Sequence, residues 1–172
     1  MKFKICTAIL ALGMAQCTSL NQIQCQHSNW HSFGMTDGNS GKSSSTLNTY
    51  IEDCSEFGLA VNSEEWTTGY LVGLENYCLP ENGYKQGLEG SNYNGVCSNN
   101  KFVKRYNEGY KQFEIKSKIV AIQSRLKNIE YELTKVDNED KRSLKNERDD
   151  LETELMLLRI QTANIFSIQF HL

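Results

Sequence analysis

The chain contains one proline, Pro80, and its glycines, twelve in 172 residues, stop at Gly109. Everything after Gly109 therefore lacks both residues that break helices. No stretch alternates apolar and polar residues well enough to specify a strand, which points to an all-α fold. No apolar run approaches the roughly 20 residues that a membrane span needs. Charge is nearly balanced, with 18 basic and 21 acidic residues and a pI near 5.7, so no net field attracts nucleic acid or an anionic surface. The cysteines form no closely spaced pair, and there are three histidines, which disfavours a zinc site of the usual spacing.

The N-terminus reads as an export signal and is set apart from the fold. Met1-Lys2-Phe3-Lys4 is a short cationic region, and Ile5 to Ala15 is apolar or small apart from Thr7. Gly13-Met14-Ala15 offers small residues to a general signal peptidase, so cleavage after Ala15 is one route. Met14-Ala15-Gln16-Cys17 offers another, because it resembles a bacterial lipobox in which Cys17 is lipidated and becomes the new N-terminus. Gln16 stands where that pattern has a small residue. Retention as an anchor is a third route. Cys6 lies within the segment that export removes.

Past this segment, Cys25, Cys54, Cys78 and Cys97 form an even set at wide spacings. In an exported chain that pattern reads as a disulfide framework. Three connectivities exist, and the frame of helices favours Cys25–Cys54 with Cys78–Cys97. Loops of these sizes stabilise by about 3–4 kcal/mol each on the chain-entropy account.

The C-terminal half has the plainest pattern. Ile115, Ile119, Ile122, Leu126, Ile129, Leu133 and Val136 alternate spacings of four and three, the seam of a coiled-coil helix. The register fails at Asp137-Asn138-Glu139-Asp140 and resumes, shifted by one, at Leu144, Leu151, Leu155 and Leu158. A turn there keeps both apolar stripes facing each other, so an antiparallel helical hairpin is expected rather than one continuous coiled coil. Self-association through residues 115–160 is compatible with the same pattern. The final Ile165-Phe166-Ser167-Ile168-Gln169-Phe170 is a short alternating apolar stretch. Glycine usage places a boundary near residue 113, giving three segments: 1–16 a signal peptide, 17–112 a Gly-, Cys- and aromatic-rich helical module, 113–172 the helical tail.

Within the module glycine follows aromatics at helical spacing. Trp30, Gly34, Gly38 and Gly41 make one instance, Trp66, Gly69 and Gly73 a second, and Tyr84 with Gly87 and Tyr106 with Gly109 shorter echoes. Spacings of three and four put these glycines on one helical face, where backbones approach closely. A helix is expected from about Asn21 to Gly41, a second from Ser45 or Thr46 to Gly58, and a third from Asn62 through Cys78, ended by Pro80. Residues 79–98 read as a Gly- and Asn-rich loop, after which Asn99 or Asn100 caps a long fourth helix. Asp37, just before Gly38, is placed to accept hydrogen bonds from backbone groups of the second loop.

These residues admit several chemistries. His27 and His31, one helical turn apart, could join Cys25 in a metal site, and the same residues could form a catalytic Cys–His pair, but a bridged cysteine supplies neither ligand nor nucleophile. Asp37, Glu52, Asp53, Glu64, Glu65 and Glu75 supply carboxylates for a glycosidase-type pair, although acids on helices ordinarily serve as caps or solvated faces. No catalytic residue, cofactor or metal is assigned. Tyr77, Tyr84, Tyr93, Trp30 and Trp66, interleaved with Asn82, Asn92 and Asn94, have the composition of a surface that stacks on sugars. Glycan or peptidoglycan contact around residues 77–97 is therefore the alternative to a non-enzymatic structural or protein-interaction role.

The ordered string Trp30-x3-Gly34-x2-Asp37-Gly38-x2-Gly41, Gly69-Tyr70-x2-Gly73-Leu74-x2-Tyr77-Cys78, Glu81-Asn82-Gly83-Tyr84-x2-Gly87 and Tyr93-x-Gly95-Val96-Cys97 resembles an uncharacterised family of Gram-negative envelope lipoproteins. The likeness covers residues 21 to 112, and a C-terminal helical extension fits it. It implies an envelope location and a lipid anchor, and it implies no activity; an anchor facing the periplasm and an envelope protein partner are expected beside it. The expected architecture is a small disulfide-stapled bundle of short Gly-rich helices with a coiled-coil-like hairpin. Intact mass of the mature protein from membranes should show a diacylated Cys17 and no thiol alkylation until reduction. Alkylation of Cys25 or Cys54 without reduction would contradict the framework.

Overall fold

The computed structural model describes residues 20–169, all helix and connecting turns. The signal segment, the Ala15 cleavage point and Cys17 lie outside the described residues. Seven helices follow in order: α1 Gln22–His27, α2 Trp30–Asn39, α3 Thr46–Ser55, α4 Ser63–Tyr77, α5 Pro80–Leu88, α6 Asn100–Leu133 and α7 Asn138–Gln169. Local chemistry explains most boundaries. Asn21, Asn29, Asn62 and Asn99 each accept a hydrogen bond from a backbone N–H of the first turn that follows. Gly41, Gly58 and Gly90 adopt positive φ just beyond the ends of α2, α3 and α5.

Two expectations change. The helix expected over Asn21–Gly41 is two helices, because Ser28 is extended and the Asn29 side chain caps α2 afresh. The loop expected over 79–98 contains the nine-residue helix α5. Pro80 does end α4, and it also occupies the first turn of α5, where its missing N–H costs nothing.

The glycines explain why α5 forms. A Cβ on Gly34 would fall on the Trp66 carbonyl oxygen, and one on Gly38 on the Tyr70 carbonyl oxygen. Reciprocally, Gly69 meets the His31 carbonyl and Gly73 the Met35 carbonyl. Contacts advance in the same direction along both helices, so α2 and α4 run parallel and cross with backbones touching. The usual separation of packed helices is 8–10 Å. Here each glycine hydrogen points at a carbonyl oxygen, as in Cα–H···O contacts between membrane helices.

The same device is built again from α5 and α6. Gly83 approaches the Phe102 carbonyl, Gly87 the Tyr106 carbonyl, and Gly109 the Tyr84 carbonyl. Gly34, Gly38 and Gly41 recur 49 residues later as Gly83, Gly87 and Gly90, and Trp66, Tyr70, Gly73 and Tyr77 recur 36 residues later as Phe102, Tyr106, Gly109 and Phe113. Gly41 lies against the Tyr77 ring, and Gly90 against the Phe113 ring. Tyr70 donates its hydroxyl to the Lys42 carbonyl at 2.7 Å, and Tyr106 donates to the Ser91 carbonyl, also at 2.7 Å. The module is therefore a tandem repeat of parallel, glycine-crossed helix pairs, with α3 inserted only in the first. The glycine rhythm was visible in the sequence, but its true phase pairs Gly83-x3-Gly87-x2-Gly90 with Gly34-x3-Gly38-x2-Gly41.

Each pair has its own core and its own staple. Trp30, Tyr50, Trp66 and Tyr70 pack with Leu20 and the Cys25–Cys54 bridge. Tyr77, Phe102 and Cys97 pack with Tyr93, Val96, Val103 and Tyr106 around Cys78–Cys97. Because α4 supplies Trp66 to the first core and Tyr77 to the second, it joins the two.

Past residue 113, α6 continues unbroken to Leu133 and pairs with α7. Ile115, Ile122 and Ile129 are buried in the seam, as is Leu155 on α7. Arg125 donates to both carboxylate oxygens of Glu147 across the hairpin and to Glu132 on its own helix. Its guanidinium pKa is raised and that of Glu147 lowered, in each case chiefly by that hydrogen bond. Among residues 165–170, the helix continues through Gln169, and the packing of their side chains lies outside the described residues.

Alanine at Gly34 or Gly69 should destabilise by ~3 kcal/mol or more, the upper end of overpacking effects, because the obstruction is backbone. Gly58→Ala meets open space and should lose about 1–2 kcal/mol from its left-handed backbone alone. Urea unfolding of the three variants measures the contrast; equal losses would refute the close crossing.

Candidate functional site

Asp37 is the one buried acid in the first core, 2% exposed, and it sits on α2 beside Gly38. The expectation for its side chain is a set of backbone donors from the second loop. Instead its carboxylate accepts three side-chain donors. Lys42 Nζ lies 2.7 Å from Oδ1, Trp66 Nε1 3.1 Å from Oδ2, and the Tyr50 hydroxyl 3.1 Å from Oδ2. The backbone group of the turn goes to the Asp37 main chain instead, the Lys42 N–H donating to the Asp37 carbonyl. One carboxylate thus ties together α2, the turn after it, α3 and α4.

These contacts shift the neighbours. The hydrogen bond to Asp37 holds the Lys42 ammonium above its usual pKa of 10.5, against the opposing effect of partial burial. Burial, then the Asp37 charge, push both Tyr50 and Tyr70 above 10.0. Burial does the same to Tyr77 and Tyr106 in and beside the second core. In the second pair Gln86 takes the position of Asp37 and Ser91 that of Lys42, so the ionic centre belongs to the first pair alone.

The aromatic residues read as a sugar-binding surface lie elsewhere than on a surface. Trp30, Trp66 and Tyr77 are 5%, 1% and 4% exposed. Tyr93 packs on Phe102 and Tyr106, and its hydroxyl both donates to the Cys97 carbonyl and accepts from the Cys97 N–H. Tyr84 is half-buried under the Arg105 guanidinium, and its hydroxyl accepts from Gln112. Stacking on a sugar needs exposed, coplanar rings; these five are committed to the fold. A loop over residues 79–98 would leave Tyr84 and Tyr93 facing solvent; α5 and the second core give both of them partners.

The remaining candidates separate in the same way. Cys25 is bonded to Cys54, which removes it as metal ligand or nucleophile, and His27 and His31 are exposed. Asp53 accepts from the Leu20 N–H, while Glu52 and Glu75 are solvated. Glu64 and Glu65 line an open groove with His31, Asn62 and Thr68. Among the described residues no three His, Cys, Asp or Glu side chains converge as metal ligands. The candidate set is thus divided: Trp30, Gly34, Asp37, Gly38, Gly41, Trp66, Gly69 and Gly73 meet around the first pair, and Tyr77, Tyr84 and Tyr93 around the second. Sequence reasoning missed Lys42 and Tyr50, the ionic and hydroxyl partners of Asp37. Lys42 carried a weak signal, five residues past the acid; Tyr50, on another helix, carried none.

Residues 29–111 match the family model described as "Protein of unknown function (DUF2799)". No curated protein and no solved structure matches the chain significantly. The family match opens on the residue that caps α2 and ends just past Gly109, so it covers both helix pairs and leaves out most of the hairpin.

Asp37→Ala should cost about 3 kcal/mol, since the Trp66 and Tyr50 donors are left buried and unpaired, while Asp37→Asn should cost less. Alkaline pH should also unfold the protein. Lys42 and Tyr50, Tyr70, Tyr77 and Tyr106 all have folded pKa values above their ordinary ones, so their contribution is complete below about pH 10 and is lost as pH rises through the folded values. Tyrosinate absorbance should therefore rise cooperatively with loss of helix; a gradual, uncoupled rise would contradict the assignment.

Proposed function

We propose that the chain is a non-enzymatic structural or protein-interaction module of the cell envelope, held to a membrane through a lipid on Cys17. The observation that carries the reading is the continuity of α6. One 34-residue helix is clamped by Gly109 into the second pair and then projects as the first arm of the hairpin. The clamp is itself tied by Cys78–Cys97, so the hairpin leaves a rigid base. Two disulfides in one small module are the usage of a chain that folds in an oxidising compartment. Among the described residues no helix is long and apolar enough to cross a membrane. A lipid would supply attachment and the hairpin reach.

The hairpin carries exposed apolar side chains along its outer faces, with Val120 and Tyr131 on α6 and Met156, Leu157 and Ile160 on α7. A protein partner docks there on this reading, and association with a second copy is a competing outcome. Envelope fractionation of the wild type and Cys17→Ala tests the anchor: the variant should leave the membrane fraction, and a wild type that is already soluble would overturn it. A photoreactive group at Leu157 should give a discrete cross-linked species in intact cells, with its mass separating a second copy from another protein. One placed at Leu71 on α4 should not.

A further inference from the structure

The sequence has two Asn–Gly pairs, Asn82–Gly83 and Asn94–Gly95. The dipeptide has a spontaneous chemistry of its own, because glycine leaves its backbone nitrogen free to attack the preceding amide. The fold treats the two pairs differently. Asn82 lies in the first turn of α5, its Nδ2 donating to the Tyr77 carbonyl at 2.7 Å and its Oδ1 facing Gln86. The Gly83 N–H donates to the Leu79 carbonyl, and its Cα is pressed on Phe102. That nitrogen is engaged and cannot turn toward the side chain.

Asn94 is exposed, in the segment without regular structure between α5 and α6. Gly95 has φ +72°, and the space about it is open. Among the described residues nothing accepts from the Gly95 N–H, and the Asn94 Oδ1 has no protein donor. The Asn94 side chain makes one bond, Nδ2 donating at 2.9 Å to the carbonyl of Gly41. That bond reaches from the loop of the second helix pair to the turn that closes the first, beside the Tyr77 ring.

We propose that Asn94–Gly95 is a self-modifying site, whose deamidation releases the tether between the two helix pairs. The Gly95 nitrogen attacks Asn94 Cγ; the Cγ–Nδ2 bond breaks, and Nδ2 leaves as ammonia with the proton given up by the nitrogen. Water then opens the succinimide at either carbonyl, leaving aspartate or isoaspartate. Solvent is the only co-reactant. Either product puts a carboxylate, which can only accept, opposite the Gly41 carbonyl, which also only accepts.

The test ages the oxidised, folded protein in mildly alkaline buffer at physiological temperature and sequences its peptides by mass spectrometry. Asn94 should gain one dalton, with isoaspartate detected by enzymatic methylation, several-fold faster than Asn82. In the reduced chain unfolded in urea the two should react alike, which isolates the contribution of the fold. Equal rates in the folded protein, or no change at Asn94 while the unfolded chain reacts, would overturn the proposal. Asn94→Asp stands in for one product. It should speed amide exchange across residues 91–97 several-fold while α2 and α4 keep their protection, and unchanged exchange would show that the bond to Gly41 is no tether.

Discussion

The structure rests on glycine hydrogens meeting carbonyl oxygens across a helix crossing. In each pair the side chains that normally keep helices apart are missing where the backbones touch, so the crossing depends on the absence of atoms. Such helices are weak on their own, because each glycine costs roughly 1 kcal/mol relative to alanine and helices of nine or ten residues are marginal in water. They form because they are packed. The bridges act on the other side of the balance, restricting the unfolded chain at the segments that enter each crossing.

The two pairs share a frame and fill it differently. The first closes around a carboxylate whose donors come from three other parts of the chain, which fixes their mutual placement through directional bonds. The second relies on ring packing and on the Tyr93 hydroxyl bonded to both backbone groups of Cys97. Where the first pair has Gly69, the second has Arg105, which stacks on Tyr84 and pairs with Glu108. A bulky residue at that end accounts for Gly83 standing further from its carbonyl than Gly34 does from its own.

How much of this could be read beforehand depended on the range of the interaction involved. The hairpin was legible, since a three-four apolar repeat that stops at a run of cap residues and restarts out of phase has few other solutions. So was the glycine face of α2 and α4. Helix α5 was not: Asn82, Gly83 and Gly87 have the propensities of a loop, and only the backbone of α6, far along the chain, makes a helix there. The repeat was hidden by α3, which lengthens the first unit, and by Arg105, which interrupts the second glycine series. The residues singled out in the sequence are mostly those that meet in the two cores, but the aromatic ones serve neighbouring rings such as Tyr50, Tyr70 and Phe102, and in the case of Tyr84 the Arg105 guanidinium, rather than a ligand. The partners of Asp37 come from a turn and from two other helices, and sequence spacing carries no record of such meetings.

The unbroken passage of α6 through residue 113 makes it a drive shaft. Gly109 fixes the azimuth of the helix against α5, and Ile115 fixes the direction in which the hairpin seam faces. Each residue between them contributes about 100° of rotation and 1.5 Å of advance. One residue inserted after Phe113, beyond the contacts that Tyr110, Gln112 and Phe113 make in the second pair, would swing the whole arm a quarter turn and more around its base. Only changes in steps near seven residues bring it back to the same bearing. The few residues from 110 to 114 thus act as an angular index, setting which way the hairpin points from its stapled base.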